Sequence, residues 1–458
     1  MALNDLLLVL GIIVGGVLAI TGLFRPFIGL LVLMTLHFVQ PGEMVPALAP
    51  FRIELVYGIL MLLNLFRTRA AALSAAFQTN PIVRATVMLE GLILLTVPFA
   101  MWRGGAFASA TELGKMIILQ LLMTVFIDSV VRLRQILYLL VSFLAWFVGS
   151  SYISYLNGQY YVVNGVERAQ GVNSMVGGPN ELAGLLLALL PFLVALIRCT
   201  KNFFAKLLFL SLGGLSLFVL LLTGARISLL ALLALGVFYI FESRHKLVTL
   251  VAVLALSATL WFSLPAQYQK RFLTVKQYAQ GGELDDSNKL RLAVWDAGWR
   301  MFLDHPILGV GAGQFATAYG LVYSGKAHTA WMQPHNLFLQ VTCELGLVGL
   351  CIFVYFVFQI WKANREVLRM RGSPGLEINY HFAVACSFML IGVALISMVS
   401  HTLYRPYWYL LAGLVASNTN IARNFLRDKS QAEAEEPDPD EVELKEHTLY
   451  GDTWRRAT

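Results

Sequence analysis

Two arginines and one histidine lie beside long apolar segments of this sequence, where a charged side chain is costly unless it is paired or functional. Arg226 stands between two apolar runs, Arg291 lies in the long polar segment that follows, and His335 stands at the start of a further apolar run. A neutral imidazole accepts a proton near neutral pH, and guanidinium groups bind phosphate oxygens in bidentate fashion. If they meet, these groups would suit group transfer from a pyrophosphate-linked donor to an alcohol.

Each of these positions also has a simpler interpretation. Arg226 could only extend its side chain to the membrane–water interface, and His335 could be a structural hydrogen-bonding residue. Asn180, which precedes Glu181, could cap a helix or contact a substrate. Asn336 could orient the ring of His335 or cap the helix that follows it.

A glycine-rich segment lies between Arg291 and His335. It contains Gly309, Gly311 and Gly313, which free the backbone for a tight turn and expose N–H groups that could bind an anion. A plain connecting loop explains the same residues equally well. The residues before it predict an amphipathic helix on the outer membrane surface, because apolar side chains recur there at helical spacing: Leu292, Trp295, Trp299 and Phe302.

The composition is that of a membrane protein. The chain has 458 residues, of which 58% are hydrophobic and 13% charged, and its mean hydropathy is +0.68. Soluble domains carry roughly 25% charged residues, so this composition excludes an ordinary soluble enzyme, a disordered protein and a nucleic-acid binder. The net charge of +7 suits anionic lipid surfaces and anionic substrates instead.

Apolar runs of roughly 20 residues recur along the chain and predict an all-α polytopic membrane protein with about 12–13 transmembrane helices. The second and third runs are short, and the last run is the weakest. The predicted spans lie at about 6–24, 27–41, 53–66, 82–101, 112–130, 134–154, 180–197, 206–223, 227–242, 247–265, 336–361, 381–400 and 406–419.

Basic residues flank these spans mostly on one side, and the positive-inside rule makes that side cytoplasmic. The short loops of the opposite side hold few basic residues: Arg52, Arg103, Arg168, Arg226 and Arg405. This orientation places the N-terminus and the long segment 266–334 outside and the C-terminus inside. Arg226, Arg291 and His335 all fall on the outer side, so the topology allows them to meet.

The sequence predicts two regions. A membrane domain covers residues 1–427 and includes the long outer loop at 266–334, whereas residues 428–458 form a disordered acidic cytoplasmic tail, since this stretch is too polar to build a core. The tail could contact other proteins or be dispensable. The four cysteines have no metal-ligand spacing, so neither a metal nor a cofactor is predicted.

Four segments in this order carry a family resemblance: 178–183 (GPNELA), 222–226 (LTGAR), 291–313, and 335–349 with its string ELGLVG. Together they resemble the O-antigen ligase and O-antigen polymerase superfamily, over roughly residues 170–400. The resemblance implies a metal-independent glycosyltransferase of the bacterial inner membrane, with its active site facing the periplasm. It also implies an undecaprenyl-pyrophosphate-linked glycan as donor.

The resemblance further implies a role for each matching residue. Arg226 and Arg291 match the arginines that bind the donor pyrophosphate, and His335 matches the base that takes a proton from the acceptor hydroxyl, with inversion at the anomeric carbon if one displacement occurs. Asn180, Asn336 and Glu344 fall within the matching segments and are expected to support the site.

Several functions stay open at this point. A ligase moves a finished glycan onto a lipid, a protein or another glycan, whereas a polymerase joins lipid-linked repeat units by the same chemistry. The opening of the chain resembles O-glycosylation-ligase-like proteins, which favours the ligase. A transporter or flippase for the same lipid-linked glycan would also need arginines near the membrane but no base beside them. A structural scaffold is disfavoured by the outer charged cluster.

Overall fold

The computed structural model describes residues 3–163, 165–243, 245–263, 266–269, 286–325 and 331–435. Helices account for most of this part of the chain, and one antiparallel two-stranded sheet accompanies them. Apolar sequence at membrane depth favours helix because a helix pairs its own backbone N–H and C=O groups where water is absent. The predicted all-α polytopic membrane fold is confirmed.

The chain before the sheet is a series of helices joined by short turns, and several of them begin at a proline, which suits the first helical turn. They are α1 (Leu3–Phe24), α2 (Pro26–Val39), α3 (Pro41–Met44), α4 (Ile53–Thr79), α5 (Pro81–Thr96), α6 (Arg103–Phe126) and α7 (Val130–Leu156). The hairpin that follows consists of β1 (Tyr161–Val163) and β2 (Val166–Arg168), with Val162 opposite Glu167.

The chain after the hairpin returns to helix. Its elements are α8 (Pro179–Cys199), α9 (Phe203–Leu222), α10 (Arg226–Glu242), α11 (Lys246–Ser263), α12 (Asp286–Asp304), α13 (Phe315–Ala318), α14 (Leu337–Arg369), α15 (Glu377–Ser397) and α16 (Pro406–Glu435). Helix α12 and the glycine-rich segment after it belong to the long predicted outer loop.

Each predicted span overlaps a helix among the described residues, although several limits differ by some residues. Within the residues described above, 8 helical segments are long and apolar enough to cross a membrane. They are Pro46–Thr79, Pro81–Phe99, Arg103–Phe126, Val130–Leu156, Pro179–Cys199, Phe203–Leu222, Leu337–Arg369 and Glu377–Ser397. Shorter apolar helices lie at Val14–Phe24, Pro26–Val39, Ala231–Phe241 and Lys246–Thr259. Most side chains of the weakest predicted span, at the start of α16, are buried inside the bundle.

Helices α8 and α15 form the centre of the bundle and pack extensively against each other. Helix α7 lies against α8, helix α16 lies against α6, and helix α14 lies against α5. Most side chains of α8 are buried, as expected for a helix that is apolar on all sides. Aromatic rings join the central pair, for example Phe192 and Phe382, whose ring centroids are 5.3 Å apart.

The predicted boundary between membrane domain and tail falls inside a helix. Helix α16 continues to Glu435, so it extends past Asp428, where the disordered tail was expected to begin. Residues 436–458, which carry most of the acidic side chains of the expected tail, lie outside the described residues. The division into a membrane domain and a cytoplasmic tail therefore stays a prediction.

Helix α14 is broken at Gly346. The backbone angles of this residue, φ 65° and ψ −163°, lie in a region that is essentially open to glycine alone. In a regular helix, the N–H groups of Leu347 and Val348 would donate to the carbonyl oxygens of Cys343 and Glu344. The break removes both hydrogen bonds at a position where buried polar groups need partners.

Segment 306–311 supplies the missing partners. The replacement hydrogen bonds run from Leu347 N to Pro306 O (2.8 Å), Val348 N to Ile307 O (3.4 Å), Val310 N to Cys343 O (2.8 Å) and Gly311 N to Glu344 O (3.0 Å). The two backbones lie so close that a Cβ on Gly346 would be 2.2 Å from the oxygen of Ile307, and one on Gly309 would be 2.4 Å from the carbonyl carbon of Glu344. Glycine is therefore required on both sides of the contact.

Candidate active site

His335 is held between helices α12 and α14. Its φ of 45° is left-handed, which is uncommon for a residue with a side chain. Immediately after it, the Asn336 side-chain oxygen accepts a hydrogen bond from the Leu339 N–H at 3.0 Å and caps α14. Immediately before it, the Pro334 carbonyl accepts a hydrogen bond from Trp295 Nε1 of α12 at 2.8 Å. Both neighbours of His335 are thus anchored, which explains how its strained backbone is maintained.

The imidazole of His335 lies in the field of one cation and one anion. Its pKa is lowered from the usual value, first because the ring is half-buried and second because the Arg291 guanidinium disfavours the imidazolium. The Glu181 carboxylate acts in the opposite direction but does not compensate. His335 is therefore neutral at neutral pH, which is the state in which an imidazole can accept a proton.

A second histidine stands next to His335. The ring of His401, in the turn between α15 and α16, has its centroid 5.3 Å from that of His335 at an interplanar angle of 71°. The pKa of His401 falls to about 3, mainly because the ring is buried and also because His335 and Arg405 lie nearby. Arg405 in turn donates from Nη1 to the carbonyl oxygen of Met175 at 2.9 Å, which ties this turn to the segment before α8.

Arg168, the last residue of the hairpin, joins two other parts of the site. Its guanidinium donates from Nε to the carbonyl oxygen of Thr223 at 2.6 Å and from Nη2 to the side-chain oxygen of Asn180 at 2.9 Å. The side chain is buried, so these hydrogen bonds satisfy a charge that would otherwise be expensive to remove from water. Asn180 is therefore connected to the start of α10, where Arg226 lies.

Arg226 is the first residue of α10 and is half-buried. The turn before it is closed by a hydrogen bond from the Ala225 N–H to Thr223 Oγ1 at 3.3 Å. Gly224 adopts a φ of 57° in this turn, which allows the chain to reverse between α9 and α10. Arg226 is connected to the rest of the site through Thr223 and Arg168, whereas Arg291 and Glu181 influence His335 directly.

Three helices begin at this site: α8 at Pro179, α10 at Arg226 and α14 at Leu337. Contacts between their first turns and the adjoining loops bring these ends together, because Arg168 bridges α8 and α10 while Glu181 lies in the field around His335. A helix N-terminus carries a partial positive charge that favours anions. Combined with the arginines, these helix ends make the site attractive to a multiply charged anion.

Glu344 lies deeper in the protein than His335. It is buried, and its Oε2 atom accepts hydrogen bonds from the Gly313 N–H and the Tyr404 hydroxyl, each at 2.8 Å. One helical turn earlier, Gln340 Oε1 accepts from the Leu403 N–H at 3.2 Å. Glu344 thus fastens the glycine-rich segment and the turn before α16 to helix α14, which is a supporting position.

The N–H groups of the glycine-rich segment are not available to a bound anion, because the protein itself uses them. The prediction of an anion-binding turn is therefore wrong. Each backbone N–H from residue 309 to residue 314 donates to an acceptor within the protein. In chain order, the acceptors are His305 O, Cys343 O, Glu344 O, Thr96 Oγ1, Glu344 Oε2 together with the Tyr404 hydroxyl, and Gly311 O. The glycines instead permit close backbone contact with the broken helix α14. The alternative interpretation, a connecting loop, is correct. This loop also supplies hydrogen-bond partners to the broken helix α14.

Helix α12 presents two faces. One face, with Val294, Ala297 and Met301, is buried with residues that include Cys343 of α14. On the other side, Leu292 is 52% exposed and Trp299 is 57% exposed. The predicted apolar stripe thus contains side chains that point away from the protein, as an interfacial helix requires. Its position on a membrane surface stays a prediction.

Three residues of this site were not among the site residues that the sequence predicted. They are Arg168, His401 and Arg405. Arg168 reaches Asn180 and Thr223 only because the hairpin folds back, and long-range pairing of this kind leaves no trace in local spacing. The other two had a detectable signal, since they lie in the short polar string 400–405 between two apolar runs. Within the described residues, no group of three or more His, Cys, Asp or Glu side chains could hold a metal ion.

The fold and the site together define a polytopic helical membrane protein with a histidine and several arginines at one end of its bundle. Comparison with known proteins adds a family match over part of the chain. Residues 211–354 match the family model described as O-Antigen ligase, and this segment contains Arg226, Arg291 and His335. The resemblance to the O-antigen ligase superfamily is therefore confirmed.

Several related proteins match part of the chain. A protein of Rickettsia conorii named "Putative polysaccharide ligase" is 27% identical over 182 residues, which cover 38% of this chain and 41% of that protein. A protein of the same designation from Rickettsia prowazekii is 30% identical over 132 residues, covering 26% and 29% respectively. The teichuronic acid biosynthesis protein TuaE of Bacillus subtilis is 25% identical over 253 residues, covering 53% of this chain and 51% of TuaE. The matched segments thus span about half or less of these relatives.

Proposed function

We propose that this protein is a membrane glycosyltransferase of the O-antigen ligase type, which transfers a glycan from an undecaprenyl-pyrophosphate carrier to an acceptor hydroxyl. The family match and the names of the relatives support a ligase-like membrane enzyme. The reaction takes place at the periplasmic face of a bacterial inner membrane, where the positive-inside rule puts His335.

One observation carries the proposal: a neutral imidazole, His335, lies in the field of the Arg291 guanidinium where the N-termini of three helices converge. Glycosyl transfer from a pyrophosphate needs an unprotonated base to take the acceptor's proton. It also needs charged cations nearby to stabilise the leaving group. A transporter would need the cations but gains nothing from a neutral base beside them.

The proposed reaction is a single displacement. His335 takes the proton from the acceptor hydroxyl while the hydroxyl oxygen forms a bond with the anomeric carbon of the donor. The bond between that carbon and the pyrophosphate oxygen breaks, and undecaprenyl pyrophosphate leaves. Arg226 and Arg291 stabilise the negative charge that develops on the leaving group. The anomeric configuration is inverted, because attack and departure occur on opposite faces.

A polysaccharide polymerase is the second candidate, because it uses the same donor chemistry with a lipid-linked glycan as acceptor. The similarity to TuaE, a protein named for teichuronic acid biosynthesis rather than for a ligase, favours keeping it. A flippase for the lipid-linked glycan is a third candidate, which the imidazole beside the arginines disfavours.

A reconstituted assay tests these candidates. The purified full-length protein in proteoliposomes is given an undecaprenyl-pyrophosphate-linked glycan of defined size and, in parallel, lipid, peptide and glycan acceptors. One product of donor-plus-acceptor size indicates a ligase, and a ladder of sizes indicates a polymerase. Movement of labelled donor across the bilayer without any new glycosidic bond would reject glycosyl transfer and select the flippase.

A further inference from the structure

A cavity with two connected parts lies at the opposite end of the bundle from His335. Helix α8 connects the two places, since Asn180 lies in its first turn and Arg198 in its last turn. With a rise of 1.5 Å per residue, these residues are about 27 Å apart along the helix axis. The cavity is therefore separate from the candidate active site and lies at the end that the basic residues mark as cytoplasmic.

The cavity has an apolar part and a polar part. The apolar part has a volume of about 240 Å³ and runs between α8, α9, α10, α11 and α15. Its lining includes Leu190, Leu232 and Phe388, which lie near the middle of their helices. The polar part has a volume of about 420 Å³ and includes Arg371 and Tyr380. Arg198 and His381 line both parts, so the two meet at these side chains.

Cationic and aromatic groups surround the junction. The Arg198 guanidinium lies 5.1 Å from the ring centroid of Tyr239, and the Arg371 guanidinium lies 5.6 Å from that of Tyr380. Such stacking holds each guanidinium, and its positive charge, in place beside the cavity. The buried Nδ1 atom of His381 has no hydrogen-bond partner among the described residues.

The charges around the junction are mainly positive. Besides Arg198 and Arg371, Arg134 lies close enough to affect the thiol of Cys199, the next residue after Arg198. Among the lining residues that the structure describes, the one carboxylate is Glu377, whose Oε1 atom already accepts a hydrogen bond from the Gly375 N–H at 3.3 Å. The arginines therefore outnumber the acid.

We propose that this cavity binds an anionic phospholipid of the cytoplasmic leaflet, with its phosphate between Arg198, Arg371 and His381 and an acyl chain in the apolar part. A free phosphate would explain the arginines but would leave the apolar part without a purpose. A neutral lipid tail would explain the apolar part but not the cations. The two parts joined at Arg198 fit an amphiphile with a negative head group, and the inner leaflet supplies such lipids. This inference does not depend on the proposed glycosyl transfer.

The lining also shows how a lipid could enter. Val194 of α8 is 36% exposed and Leu256 of α11 is 45% exposed, although both line the apolar part. The cavity is therefore accessible from the surface of the bundle that faces the hydrocarbon. An acyl chain can slide in sideways while its head group stays at the level of Arg198.

The test uses the purified full-length protein, whose bound lipids are counted by native mass spectrometry. Phosphatidylglycerol and phosphatidylcholine with equal chains are titrated in parallel, and inorganic phosphate and glycerol phosphate serve as soluble competitors. We expect phosphatidylglycerol to be retained about tenfold better than phosphatidylcholine, because two arginines each favour an anionic head group. Changing Arg198→Gln and Arg371→Gln together should remove this preference.

Two further variants separate the possible explanations. The double change Arg84→Gln and Arg365→Gln removes the same charge from the predicted cytoplasmic side without touching the cavity, and it should leave retention unchanged; Arg365 also stacks on an aromatic ring, that of Trp361. Leu256→Trp should fill the apolar part from its exposed side and weaken retention with all arginines intact. Equal retention of both lipids, loss in the control variant, or displacement by glycerol phosphate at the lipid's own concentration would each overturn the proposal.

Discussion

The imidazole rings of His335 and His401 stand nearly edge-on to each other, with centroids 5.3 Å apart, although the residues come from different turns of the chain. Burial lowers the pKa of both rings. The two rings differ in their surroundings. The Glu181 carboxylate partly counteracts the lowering of the pKa for His335, whereas the pKa of the more deeply buried His401, which lies near His335 and Arg405, falls to about 3. Of this pair, His335 is thus the ring that can take up a proton near neutral pH.

Replacing His335 with alanine should lower glycan transfer by roughly 100- to 10,000-fold, which is what a general base contributes. The measure is the rate of product formation in proteoliposomes. His401→Ala is the matched control, since it removes a neighbouring ring of the same type. Because its pKa of about 3 makes His401 a poor proton acceptor near neutral pH, its loss should affect transfer much less. Undiminished transfer by the His335 variant, with the protein inserted and folded, would remove the base assignment.

The rate of transfer should fall when the pH is low enough to protonate His335. This should happen at a pH below about 6.5, the ordinary imidazole pKa. Glu181→Gln should move this acid limb to still lower pH, because the carboxylate stabilises the imidazolium and raises its pKa. The measurement is a pH–rate profile of kcat/KM. Glu377→Gln, at the far end of the bundle, should leave the profile in place. A shift of the Glu181 variant toward higher pH would contradict the electrostatic assignment.

Arg226→Ala and Arg291→Ala should each reduce kcat/KM for the donor by roughly ten- to a hundredfold, the usual effect of losing a hydrogen bond to a charged group. The corresponding lysine variants should recover only part of this loss, because an ammonium cannot bind two phosphate oxygens as a planar fork does. The readout is donor saturation kinetics. Full activity in both lysine variants would show that any positive charge suffices and would reject specific pyrophosphate binding.

Gly346→Ala should destabilise the protein by at least about 3 kcal/mol, since it combines a glycine-only backbone conformation with a steric collision. The added Cβ would lie 2.2 Å from the carbonyl oxygen of Ile307. Thermal unfolding in detergent measures the change. Gly214→Ala is the control, because a Cβ there meets nothing within 4 Å and alanine favours helix. Equal unfolding temperatures for the two variants would refute the role given to the helix break.

Much of the fold could be predicted from the sequence, because helical membrane spans depend on local composition. Apolar length set the approximate limits of each span, and Pro179, at the start of α8, occupies the first helical position that its type favours. Asn336 likewise acts as the cap that one of its two interpretations expected. In each case the deciding interactions lie within a few residues of one another in the sequence.

The site was harder to predict because its connections are long-range. Arg168 bonds Thr223, 55 positions further along the chain, and nothing near either residue signals that pairing. The glycine-rich segment was open to two interpretations for the same reason, because the acceptors for several of its N–H groups lie far away in the sequence, in α14 and at Thr96. The charges of Arg291 and Glu181 could be read from the sequence, whereas their joint effect on His335 could not.

The union of segment 306–311 with the broken helix α14 has a practical consequence for anyone who builds chimeras between relatives of this protein. Neither piece is complete alone, since each supplies the hydrogen-bond partners that the other lacks. Exchanging the outer loop without its helix would leave buried backbone N–H groups without hydrogen-bond partners. The two pieces are therefore best exchanged together, as one cassette that runs from His305 through Gly349.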